Sequence, residues 1–108
     1  MRTRLAFLGT IAIAVACGAT AEYEPLTASV AGAPADVRAA CELAAVRCSH
    51  CHTLERVLDA PATDPSYWRT YVRRMRLTPG SGIRPDEEPT ILHCLIYRSF
   101  GPEAVSSR

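Results

Sequence analysis

Cys48 Ser49 His50 Cys51 His52 places two thiols and a terminal imidazole within five residues. Residues three apart share a face on a helix or its last turn, so both thiols can form thioethers to the two vinyl-derived arms on one edge of a porphyrin. The next residue then lies beneath the ring, where a neutral imidazole is a good iron ligand. The Cys-x-x-Cys-His spacing is therefore read as the attachment site of one covalent c-type haem, held by Cys48 and Cys51, with His52 as an axial ligand. His50 is a solvent-facing spacer in this reading.

Two other chemistries use part of the same pattern. A thiol-disulfide oxidoreductase would employ Cys48 and Cys51, with Thr78 Pro79 as the facing proline loop. Such an enzyme needs strands around the motif, whereas the alanine-rich approach to Cys48 reads as helix. A structural zinc site would take Cys48, Cys51 and His52, with Cys94 or His93 as the fourth ligand. The consecutive Cys51 and His52 make awkward tetrahedral ligands.

The chain has 108 residues and begins with Arg2 and Arg4 followed by an apolar run from Leu5 to Ala16. This is the pattern of an export signal, and the run is too short to span a bilayer stably. Two processing sites compete. Ala14 Val15 Ala16 Cys17 has the form of a lipoprotein signal, in which Cys17 would be lipidated, so that 1–17 is the signal; Ala19 Thr20 Ala21 offers ordinary cleavage before Glu22. Both imply a periplasmic protein, and the first a membrane-anchored one. All basic residues are arginine, and two of the 12 precede Gly18, leaving ten against 11 acidic residues. A near-neutral mature chain has no positive excess to drive counterion release, which argues against nucleic-acid binding.

Elements that could position the pentad follow from pattern. Residues 18–35 lack periodicity and carry small and breaker residues, which reads as a flexible tether ahead of a folded domain over 36–108. Asp36 is a plausible N-cap for an alanine-rich helix running toward Cys48, with Ala40, Cys41, Ala44 and Ala45 as a close-packing face. A short helix over 53–58 follows. Asp64 and Pro65 form a strong helix start, and Trp68, Tyr71, Val72 and Met75 recur at helical spacing, leaving Arg69, Arg73, Arg74 and Arg76 off the stripe. Those arginines could dock an acidic partner or hold haem propionates, although a solvated helix face explains them more simply. Residues 78–82 end that helix. Asp86 is placed to cap a last one, whose apolar face is Ile91, Leu92, Leu95 and Ile96. The expectation is an all-α fold of three main helices around one haem.

These residues resemble class I c-type cytochromes over roughly 36–100: a helix entering the pentad, a methionine downstream, and a last helix with Leu92, Leu95 and Tyr97. The resemblance implies a cytochrome c-like fold in which the first and last helices cross, with the haem beside them. It suggests Met75 as the sixth iron ligand, with His93 as the rival. With Cys48 and Cys51 on haem and Cys17 lipidated or removed, Cys41 and Cys94 remain as a possible disulfide between the crossing helices. The implied function is single-electron transfer between periplasmic or membrane redox proteins, by a carrier and not an enzyme. A haem sensor or peroxidase with an open sixth position is the neighbouring alternative.

Overall fold

A computed structural model describes residues 24–106, and every regular element among them is helical. The proposed signal over 1–17, Cys17 and the cleavage site after Ala21 lie outside the described residues. In chain order the helices are α1 (Glu24–Ala28), α2 (Ala35–Cys48), α3 (Glu55–Leu58), α4 (Pro65–Leu77), α5 (Glu88–Phe100) and α6 (Pro102–Ser106). Three of them, α2, α4 and α5, are 13 or 14 residues long and carry the architecture.

α2 can lie close to α5 because its inward positions are small. Val37, Ala40, Cys41, Ala44 and Ala45 are all buried, and they meet Ile91, Cys94 and Leu95 of α5 in one core. Cys41 and Cys94 face each other across this crossing, with sulfurs 2.02 Å apart and Cα atoms 4.9 Å apart. α4 packs on α5 with Trp68 and Val72 as its buried residues. The Trp68 indole N–H donates to Ser99 Oγ at 2.9 Å, so the ring is buried without an unpaired donor. Tyr67 and Tyr71 meet Trp68 edge-on at 5.2 and 5.6 Å between ring centroids. Trp68 is thus a core residue of the α4–α5 contact.

Sequence logic accounts for several helix ends. Asp64 is extended and its Oδ1 accepts from the Ser66 backbone N–H at 2.7 Å, while Pro65 occupies the first turn, where it forfeits no hydrogen bond. Gly80 and Gly82, at φ of 78° and 71°, turn the chain after α4 in a region that side chains with a Cβ rarely adopt. Two expected caps are different. α2 begins two residues earlier than the Asp36 cap implies, behind Pro34, and Asp36 sits in the first turn. α5 is preceded by Glu87 and not capped by Asp86, which instead pairs with Arg84 at 2.8 Å.

The expected tether over 18–35 is corrected for its described part. Leu26 is fully buried, and Val30 and Ala33 join the same core, because a short helix and two tight turns bring all three onto α2. Ser29 reinforces the arrangement by donating its hydroxyl to the Leu26 carbonyl and accepting from Arg98 Nε of α5. A second nitrogen of Arg98 donates to the Leu58 carbonyl. One side chain therefore ties the entry segment and the end of α3 to the last helix.

Candidate haem site

The C-terminal turn of α2 and the loop beyond it hold the pentad. Cys48 is the last residue of α2; Ser49 N–H still donates to the Ala45 carbonyl at 3.2 Å, and His50 N–H to the Arg47 carbonyl at 3.4 Å. The helical turn thus runs past Cys48 and carries the chain toward Cys51. Both thiols are free; Cys48 is half-buried and Cys51 exposed. Burial pushes the Cys48 thiol up to about 11, as removal from water disfavours the thiolate.

His52 has an oriented ring. Its Nδ1 lies 2.9 Å from the Thr53 carbonyl oxygen. A carbonyl can only accept, so Nδ1 carries the hydrogen and the lone pair resides on Nε2. That is the tautomer an iron ligand requires, fixed by a hydrogen bond to the ring nitrogen not used for the metal.

Cys48, Cys51 and His52 line one cleft together with Met75, Tyr71, Arg47, Thr78, Ser81 and Ile83. The walls come from three places: the end of α2 and its loop, the inward stripe of α4, and the 78–83 turn. Ser81 is buried within that turn, donating its hydroxyl to the Arg76 carbonyl and accepting from the Ile83 N–H. The donor set fits a c-type haem: two thiols three residues apart, an imidazole with its outer nitrogen free, a thioether, and the apolar bodies of Tyr71 and Ile83.

His93 is elsewhere. Its Nε2 faces Asp36 Oδ2 at 3.1 Å, joining the first turn of α2 to the middle of α5, and it does not line the cleft. The fourth ligands considered for zinc are thus engaged, His93 with Asp36 and Cys94 with Cys41. Among the described residues no group of three or more His, Cys, Asp or Glu side chains is gathered for a metal ion. Neither is there a strand among them to build the sheet that a thiol-disulfide oxidoreductase needs around its motif.

The residues that sequence reasoning missed are Arg47 and Glu87. Arg47, next to Cys48, forms a two-pronged pair with Glu87, through Nε at 2.9 Å and a terminal nitrogen at 2.6 Å. Glu87 is nearly buried and also accepts from the Arg84 backbone N–H at 3.0 Å. The Arg47 guanidinium first, and that N–H second, hold the Glu87 carboxyl below its ordinary value. Adjacency to the pentad was the one signal that could have pointed to Arg47, but a partner 40 positions away could not be read from one sequence.

The family of cytochrome c-551, described as photosystem P840 reaction-centre cytochrome c-551, matches residues 17–99. A curated protein called cytochrome c, from Chlorobaculum tepidum, is 44% identical over 72 residues, which is 60% of this chain and 34% of that protein. The chain therefore spans about a third of the length of the curated relative it matches. No solved structure matches. The family match runs through the pentad, Met75 and both core cysteines, over most of the sequence, and the chain belongs to the cytochrome c-551 family of small c-type cytochromes.

Proposed function

We propose that the chain is an exported monohaem c-type cytochrome that carries single electrons between redox partners. The observation that carries this reading is the convergence of Cys48, Cys51, His52 and Met75 on one cleft. Cys48 and Cys51 would hold the haem covalently, and His52, through Nε2, and Met75 would be the ligands to its iron. The bound haem supplies the ferric/ferrous couple. The protein's own contribution is to hold both axial side chains in place, so that little rearrangement accompanies the change of charge, and to limit water at the iron.

The partners we assign are periplasmic or membrane redox proteins. A membrane redox complex is favoured by the description of the matching family, which names a photosystem reaction centre. No described helix is long and apolar enough to cross a membrane. Lipidation at Cys17 would tether the chain beside such a complex, whereas cleavage after Ala21 would release it as a periplasmic shuttle.

Expression with the c-type haem maturation machinery tests the reading. A haem that stays with the chain under denaturing conditions, and a reversible one-electron couple, are expected. Met75→Ala should abolish the weak far-red band of methionine-ligated ferric haem and lower the reduction potential. Absence of covalent haem overturns the assignment, and an unchanged ferric spectrum in Met75→Ala removes Met75 from the iron.

A further inference from the structure

Around α4, Trp68, Tyr71, Val72 and Met75 turn inward, and Arg76 folds back to pair with Glu88. Arg69, Thr70, Arg73, Arg74 and Leu77 are left exposed as a continuous outward arc. Helical spacing puts Thr70 and Leu77 at its centre, with Arg69 and Arg73 on one side and Arg74 on the other. Among the described residues no ion pair or hydrogen bond engages the guanidinium groups of these three arginines, the one contact being the Thr78 hydroxyl donating to the Arg74 backbone carbonyl. Leu77 is 62% exposed, one of two large apolar side chains so placed among the described residues. A shallow groove runs over Thr70, Arg73, Arg74, Leu77, Thr78 and Pro79. Thr78 also lines the cleft that holds the pentad and Met75, so groove and cleft share a rim.

We propose that this arginine-framed groove docks an acidic redox protein over the Met75 side of the haem cleft. The proposal rests on the cytochrome reading above and adds to it the face used and the charge of the partner. An exposed apolar centre inside a charged rim has the composition of a protein interface, in which arginine is favoured over most charged residues. Its small area suits a transient electron-transfer contact. The chain is near neutral overall, so attraction must come from this local patch and not from net charge. A lipid surface is the weaker match: only one large apolar side chain projects from the face, and a bilayer against it would cover the cleft rim where a redox partner must approach.

The test uses the haem-loaded protein and two one-electron donors of opposite charge, a reduced plant-type [2Fe–2S] ferredoxin, which is acidic, and hexaammineruthenium(II), which is cationic. At low ionic strength the double variant R73E/R74E should slow reduction by the ferredoxin about tenfold, leave the ruthenium reaction undiminished, and keep the wild-type reduction potential. Arg38→Glu, a charge reversal at one site on the first turns of α2, should leave the ferredoxin rate near wild type. Added salt should slow the wild type with the ferredoxin and not with the ruthenium complex, a comparison that needs no variant to fold. An unaltered ferredoxin rate in R73E/R74E, or an equal loss in Arg38→Glu, overturns the docking face. So does loss of binding to phosphatidylglycerol vesicles in R73E/R74E with an unchanged ferredoxin rate, which would assign the face to lipid. These outcomes presuppose covalent haem, whose absence in the maturation experiment would overturn the cytochrome reading itself.

Discussion

Glu87 is the residue on which the geometry around Cys48 depends most. Its carboxylate receives both prongs of Arg47 and the Arg84 N–H while being nearly shut off from water, so it links the last turn of α2 to the start of α5. Charge-assisted, two-pronged pairing of this kind fixes direction as well as distance. Because the folded protein depresses the Glu87 pKa below its ordinary 4.5, the stabilisation is complete above that pH and is lost as pH falls through the lower folded value. Glu87→Gln keeps the shape and removes the charge. Thermal unfolding should show the variant clearly less stable than wild type at neutral pH, with the difference shrinking once pH drops below 4.5. A gap that stays constant down to strongly acid pH would show that the pair is not what the substitution removed.

α1 and α2 show what a single sequence conveys at the scale of elements. α4 was legible because large apolar residues recur at helical spacing between Asp64 Pro65 and a glycine-bearing turn, and each signal has a local cause. α2 was legible as a helix and so was its packing face: Ala40, Cys41, Ala44 and Ala45, the small residues expected to pack closely, are all buried, with Val37 beside them, while Ala39 is exposed. The pentad announced itself because its chemistry is contained in five adjacent residues. Its surroundings, Arg47 with Glu87 and the wall formed by Ser81 and Ile83, depend on distant pairings that leave no local trace. Residues 24–34 were misread because a five-residue helix with Gly32 and Pro34 beyond it has the composition of a linker. Burial, which composition does not report, makes them part of the domain. Leu26→Ala is therefore expected to cost about 2–5 kcal/mol in denaturant unfolding, the range for a buried leucine, whereas a leucine in a solvated tether would cost close to nothing. A change within experimental error would restore the tether.

For the molecule as a whole, α2 carries both proposed covalent constraints. Cys41 and Cys48 are seven residues apart, two helical turns and roughly 10 Å, so the crossing with α5 and the haem edge are attached to one rigid rod. The core itself is modest: of the residues buried completely or nearly so, the largest are Trp68, Leu26, Ile91 and Leu95, and much of the α2 face is alanine. Small domains with such cores depend on staples. Cys41 and Cys94 are 53 positions apart, and closing a loop of that length is worth about 4 kcal/mol in the chain-entropy model. We propose that this bridge is formed in the exported protein, where thiols are readily oxidised. Denatured, non-reduced holoprotein should then show neither Cys41 nor Cys94 as a free thiol, and Cys41→Ala/Cys94→Ala should lose a large part of that stability. The reduction potential should move little in the same variant, because His52 is oriented by Thr53 and Met75 by α4, and neither leans on the disulfide. Two free thiols would dispose of the bridge. A large shift in potential without the bridge would mean that the α2–α5 crossing sets the position of the haem ligands, and that the staple and the site are not separable.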